Sequence, residues 1–303
     1  MPNARKQEIL EVVGKQFGTV SKLAGGNSLF AVGRDAARIY LRYSKVHEGG
    51  RTFFGLREVD LRRLEGHNSY ICFVLDDNSP PVVLPFADFE EVFRLARPAA
   101  DGQYKVQLTS RDGQLELYVA RQGRFNVEGY VGFDALARTL RAHELRNMHR
   151  SFSHSQVQTL LAGIGHCKGY DVFVPASDAG GLEWTLTPRF ELRRELPTGL
   201  KDLVPMVSDI DVVWLAGGRN SIQGLFEVEH TTTIYSGLLR FNDVLLADPR
   251  VSRFCIVSDE SRRSVFSRQA FRPTFRKSGL SELVSFLEYS NVFDWHSRLA
   301  KGV

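Results

Sequence analysis

"DIDVVWLAGGRNSIQGLFEVEH", residues 209–230, sets two apolar runs around a Gly-Gly-Arg-Asn turn and closes on two glutamates. Alternate residues of a strand share a face, so Glu227 and Glu229 stand side by side. Like charges at that spacing repel, and burying them without partners costs on the order of several kcal/mol each. A divalent cation would compensate; the plainer reading is a strand with one solvated face. The turn at 217–220 makes the two runs a tight hairpin, which brings Asp211 to the same strand end as the glutamates. Three carboxylates offer the hard oxygen ligands that Mg2+ takes, with Mn2+ as its substitute, and such a site can activate water against a phosphodiester. Asp209 lies on the same face two residues earlier. Asp211 is the better candidate because the apolar run begins immediately after it.

Working outward, "SHSQVQTLLAGIGHCKG" predicts a helix with Ser153 or Ser155 as N-cap. Its stripe is Val157, Leu160, Leu161 and Ile164, and Gly165 or Gly169 ends it. The glycines of "GIGHCKG" miss the spacing of nucleotide-binding loops and read as turn residues. "YDVFVP" (170–175) reads as a strand, and 177–199 as a loop-like insertion with room for a hairpin. After the central pair of strands comes a helix with Ile234, Leu238, Phe241 and Leu245 on one side. "RFCIVS" (253–258) reads as a last buried strand, and "ESRRSVFSRQAF" and "LSELVSFLEYS" as two closing helices. The order is helix, strand, strand, strand, helix, strand.

In that order, "SDIDVVW" and "FEVE" resemble the PD-(D/E)XK nuclease superfamily, which includes many restriction endonucleases. The resemblance covers about 154–275, with Asp211 as the first acid, Glu227 as the second and Glu229 at the motif's lysine position. It implies an α/β core, α-β-β-β-α-β, with a mixed sheet flanked by helices. It also implies that the Val228 carbonyl completes the Mg2+ shell of Asp211 and Glu227, while Glu229 orients or deprotonates the attacking water. Lys168, His230 or Arg240 would supply the positive charge that the lysine otherwise gives. His230 falls on the opposite face from Glu229 and reads as a packed or surface residue. His166 reads as a cation at a helix C-terminus.

The chain has 303 residues, 43% hydrophobic and 24% charged, which is globular composition with room for two domains. Residues 1–150 carry 22 basic against 18 acidic residues, and 151–303 carry 17 of each. Eight of the basic residues lie within 34–63, interleaved with Tyr40, Tyr43, Phe53 and Phe54. A basic, aromatic surface suits phosphate contact, and Arg38, Arg42, Tyr43, Lys45, Arg51 and Arg57 are the candidates for it. The alternative is a solvated face whose arginines pair with nearby acids. A helix over 4–17, strand-like runs from 28 to 133, an Asp112-Gly113 hairpin signal and a short helix at 87–96 make this half α+β and strand-rich. A polar helical stretch at 133–155 bridges two domains, 1–140 for nucleic-acid recognition and 141–303 for cleavage.

The three cysteines lack metal or redox spacing, and Cys72 and Cys255 sit in apolar runs. They fit a reducing cytoplasm. No membrane span or signal peptide is expected. The expected function is a metal-dependent DNA endonuclease of restriction or defence type, acting on double-stranded DNA as a homodimer. A non-catalytic DNA-binding protein on a decayed nuclease fold, and a repair or RNA-processing nuclease, are the alternatives.

Overall fold

The computed structural model describes residues 2–300 except 24–25, 27, 34, 112–113, 148–151, 198–199, 201–202, 217–220 and 232, and leaves out the side chains of 2–3, 49, 111 and 141–147. The chain divides into two compact units, Met1–Met148 and His149–Val303.

In chain order the first unit holds α1 (Pro2–Phe17), β1 (Val20–Lys22), β2 (Leu29–Val32), β3 (Ala37–Ser44), β4 (Phe54–Arg57) and α2 (Glu58–Arg62). There follow β5 (Ser69–Leu75), β6 (Val82–Pro85), α3 (Phe86–Leu95), β7 (Gln103–Arg111), β8 (Gln114–Val119), β9 (Gly123–Asn126) and α4 (Asp134–Asn147). Two sheets form, one ordered β1-β2-β3-β5-β6 and one ordered β4-β7-β8-β9. Alternation along β3 and β5 decides the layers. Ile39, Leu41, Tyr70 and Cys72 face Ile9 and Val13 of α1, while Tyr40, Ile71 and Phe73 face Phe54, Val106 and Phe89. The strand-rich character follows the sequence reading, with β1, β4 and α2 in addition to it. The Asp112-Gly113 turn lies outside the described residues; β7 and β8 on either side of it pair antiparallel.

The second unit holds α5 (His154–Cys167), β10 (Tyr170–Phe173), α6 (Ala176–Ala179), α7 (Val204–Val207), β11 (Val212–Ala216), β12 (Ile222–Val228) and α8 (Ile234–Ala247). It closes with β13 (Phe254–Ser258), α9 (Arg263–Ala270), α10 (Pro273–Ser278), α11 (Leu280–Leu283), β14 (Val284–Glu288) and α12 (Tyr289–Leu299). One mixed sheet, β10-β11-β12-β13-β14, carries them, antiparallel from β10 to β12 and parallel from β12 to β14. β12 is central and covered on both faces, so it is buried along almost its whole length rather than at alternate residues, Glu227 included. Leu225 packs with α8 against Leu238 and Phe241, and Phe226 and Val228 pack with α5 and α12 against Leu161, Val292 and Trp295.

Three sequence expectations fail here. "LSELVSFLEYS" is not one helix: Val284–Glu288 pairs in register with β13, so "RFCIVS" is not the last strand. The helical spacing of Leu280, Leu283 and Leu287 misleads, because Leu280 and Leu287 belong to the cores on opposite faces of the sheet. Within 177–199 no hairpin forms among the described residues, and a single bridge joins Phe173 to Arg193. Gly163 and Gly165 are not turn residues but lie inside α5. A Cβ at Gly165 would stand 2.5 Å from Trp214 Nε1, so the glycine lets helix and sheet approach. The turn is made by Gly169, at φ 76°.

Candidate active site

The register Val212↔Phe226 sets Asp211 opposite Glu227, one pair beyond the end of the ladder. Asp211 Oδ2 there accepts the backbone N–H of Val228 at 2.6 Å, which ties the first acid to the end of β12. Glu227 and Glu229 point to the α8 side of the sheet and are 1% and 2% exposed, so the solvated-face reading of this strand does not hold. Glu229 is fixed through its backbone. Its N–H donates to the Val257 carbonyl at 2.8 Å, and its carbonyl accepts from Ser258 Oγ and from Arg262 Nη1 at 2.8 Å. On α8, a Cβ at Gly237 would lie 2.9 Å from Glu229 Oε1 and 3.3 Å from Glu227 Cβ. The helix backbone therefore covers both glutamates directly.

Arg240, one turn along α8 from Gly237, meets Glu227 in a two-pronged ion pair. Its Nε stands 2.6 Å from Oε1 and its Nη2 2.9 Å from Oε2. Charge-assisted forks of this kind are among the strongest hydrogen bonds available to a carboxylate. Burial nevertheless pushes the Glu227 carboxyl up to about 7; Arg240 opposes the rise, and the charges of Asp211 and Glu229 add to it. The bond to Glu227 in turn raises the Arg240 guanidinium.

Asp211 has a second side. Ser153 and Gln156 form a capping box at the start of α5, which fixes the helix end that carries His154. His154 Nε2 lies 3.5 Å from Asp211 Oδ1. Its pKa is raised, first by the bond to Asp211 and further by the charge of Asp178. Gln158, 1% exposed, donates through Nε2 to Asp178 Oδ2 at 3.1 Å and to the Asp211 carbonyl at 3.0 Å. His154, Asp178 and Asp211 each place one ligand atom within 4.8 Å of the others.

The structure thus brings together Asp211, Glu227, Val228 and Glu229. Of the three candidate cations it is Arg240 that reaches an acid of the cluster. Lys168 is buried at the far end of α5 with its Nζ 5.6 Å from the Trp295 ring, and exposed His230 sits 3.3 Å from the Tyr289 hydroxyl. His166 stacks on Phe190 at 4.3 Å, and Asp209 is exposed in the turn before β11. Sequence reasoning passed over His154, Asp178 and Gln158. The signal available was an acid, Asp178, inside the segment read as a loop, and a histidine at a helix start.

The basic candidates of the first unit fall into two groups. Arg38 is 5% exposed, paired through two bonds to Asp35 at 2.8 and 2.7 Å and donating to the Arg63 carbonyl at 2.9 Å. Arg57 grips Asp60 at 2.7 and 3.0 Å, and Arg62 pairs with Glu58. Arg42 and Tyr43 are half-buried, with Arg42 5.4 Å above the Tyr40 ring. Lys45 and Arg51 are exposed, and neither side chain has an ion-pair partner among the described residues.

The sequence model of the family described as the C-terminal domain of the type II restriction enzyme NmeDI matches residues 137–300, more than half of the chain. The chain belongs to that family. The matched NmeDI-type region contains all of α5 to α12 and so the whole cluster around Asp211. No significant match is found among curated proteins or among solved structures. Among the described residues no helix is long and apolar enough to cross a membrane.

Proposed function

We propose that the chain is a metal-dependent DNA endonuclease of restriction type that hydrolyses phosphodiester bonds at the Asp211, Glu227 and Glu229 cluster, as the PD-(D/E)XK resemblance implies. One observation carries the reading. Within the NmeDI-type domain, three acids from two adjacent strand ends crowd into a site where two of them are buried and one carboxyl is pushed up to about 7. An all-oxygen donor set under mutual repulsion fits a hard divalent cation. Asp211, Glu227 and the Val228 carbonyl would hold Mg2+, or Mn2+ in its place; the ion supplies Lewis-acid polarisation of a phosphoryl oxygen.

The chain's own groups do the rest. Glu229, held by Val257, Ser258 and Arg262, orients the attacking water and takes its proton. Arg240 replaces the motif lysine as the positive charge facing the phosphate. Residues 1–140 recognise double-stranded DNA, through Arg42, Tyr43, Lys45 and Arg51 rather than through the paired Arg38 and Arg57. Residues 141–303 cut it. Two active sites, in a homodimer, serve the two strands.

A second reading, a non-catalytic DNA-binding protein on a decayed nuclease fold, draws on the fork by which Arg240 occupies both oxygens of Glu227. Plasmid DNA separates the two. With Mg2+ or Mn2+ the wild type nicks or linearises it, EDTA stops the reaction, and Asp211→Asn and Glu227→Gln lower the rate by about three orders of magnitude, as loss of several kcal/mol of transition-state stabilisation requires. Binding without cleavage in every metal supports the decayed site.

A further inference from the structure

We propose that His154 and Asp178 join Asp211 in a second cation position, built for a transition metal and separate from the Glu227 carboxylate. The inference rests on the endonuclease reading only for what the ion does in cleavage. Its geometry stands by itself.

The three residues are far apart in sequence and come from three elements: the first turn of α5, the short helix α6 and the approach to β11. They nevertheless bring one donor atom each within 4.8 Å of one another. That is a few tenths of an ångström beyond the greatest separation, about 4.4 Å, of two ligands at about 2.2 Å from one ion, so that small side-chain movements would close them onto it. Asp211 divides its two oxygens between two jobs. Oδ2 takes the Val228 N–H, and Oδ1 turns to His154 Nε2. A buried side chain holds the frame: Gln158 bonds both the Asp178 carboxylate and the Asp211 carbonyl, the kind of outer support that orients metal ligands.

One edge of the group is already in contact, where His154 Nε2 stands 3.5 Å from Asp211 Oδ1. Glu227 does not belong to this side, since both of its oxygens go to Arg240. One imidazole and two carboxylates form a mixed nitrogen and oxygen set, which favours Mn2+, Co2+ or Zn2+ over Mg2+ and Ca2+. The site would then hold a softer ion next to the Mg2+ position, with Asp211 shared between them.

The test is Mn2+ binding to the full chain without DNA, read from the loss of the free Mn2+ paramagnetic resonance signal. The wild type should bind Mn2+. His154→Ala, His154→Gln and Asp178→Asn should each weaken that binding by at least about tenfold, while Asp209→Asn, which changes an exposed acid nearby, should leave it alone. Melting curves establish that each variant is folded. No Mn2+ binding by the wild type, or unchanged binding in folded His154 and Asp178 variants, overturns the inference and reduces the contact to an ion pair. Plasmid cleavage keeps the two readings apart. Cleavage by the wild type with unaltered Mn2+ binding in the His154 variants removes this site and leaves the endonuclease. His154-dependent Mn2+ binding in a protein that cuts nothing removes the endonuclease and leaves the site.

Discussion

Arginines and acids meet in both units, under opposite conditions. Between residues 34 and 63 the pairs are local: Arg38 with Asp35, Arg57 with Asp60, Arg62 with Glu58, each three or four residues apart. One charge answers one charge. Around Asp211 three acids converge from two adjacent strand ends, and the fork joining Arg240 to Glu227 spans thirteen residues, from α8 to β12. Local pairs come with the chain's own turns and serve the fold. In the proposed function the crowded acids serve a cation, and that is the difference between structural and functional charge that the following variants test.

The comparison breaks most visibly at Arg38. Arg38→Ala should cost about 3 kcal/mol, the low end for removing one partner of a buried pair, measured by denaturant unfolding. It should leave the salt dependence of DNA binding unchanged. A fully stable Arg38→Ala protein would erase the distinction drawn here.

Arg240→Ala should cost less, about 1–2 kcal/mol, because the Arg240 side chain is 35% exposed and solvent screens the pair. The readout that matters is rescue. Mn2+ or Mg2+ should restore more stability to Arg240→Ala than to the wild type, since the variant leaves three acids without their guanidinium. Equal metal gains in the two proteins would show that Arg240 and the metal do not answer the same charge.

The pH dependence sharpens the acidic side. An unfolded glutamate titrates near 4.5, and Glu227 is held at about 7 in the fold. The folded protein therefore keeps a proton that the unfolded chain gives up between those values. The stability from this group is complete below pH 4.5 and is lost as pH rises to about 7. His154, also raised, acts in the same direction, through a window beginning at its ordinary 6.5. Melting in EDTA should thus fall from pH 5 to pH 8, and Glu227→Gln should flatten the slope. A slope unchanged in that variant would assign the titration elsewhere.

The smallest expected effect lies on the basic side. Replacing Arg42, Lys45 and Arg51 by Ala in the full chain should lower the salt slope of DNA binding by roughly one unit per lost phosphate contact. An unaltered slope moves recognition to another surface.

How much of this was legible in the sequence follows from the range of each interaction. The helix at 154–167, strands 170–173, 212–216 and 222–228, and the helix at 234–247 all carry local periodicity, and each stands close to its expected place. β14 was not legible, because its Leu287 continues the helical spacing of Leu280 and Leu283, and the five-residue run becomes a strand only by pairing with β13. Asp211, Glu227 and Glu229 could be found because they sit on adjacent strands of one hairpin. His154 and Asp178 carried only a weak signal, a histidine at a helix start and an acid in a loop-like segment, because the contact that brings the start of α5 and α6 to Asp211 is long-range. The pairs of Arg38 and Arg57 were legible as spacing, but their burial was not.

The most direct test of the central claim, that the buried acids await a cation, is thermal melting at pH 8 without DNA. Mg2+ or Mn2+ should raise the melting temperature of the wild type, by about 2.7 kcal/mol of stability at a hundredfold excess over Kd. Glu229→Gln should melt higher than the wild type in EDTA and gain less from metal. If Mg2+, Mn2+ and Ca2+ all leave the wild-type curve unmoved, the acids at the end of β12 hold no metal, and the account of the site is contradicted.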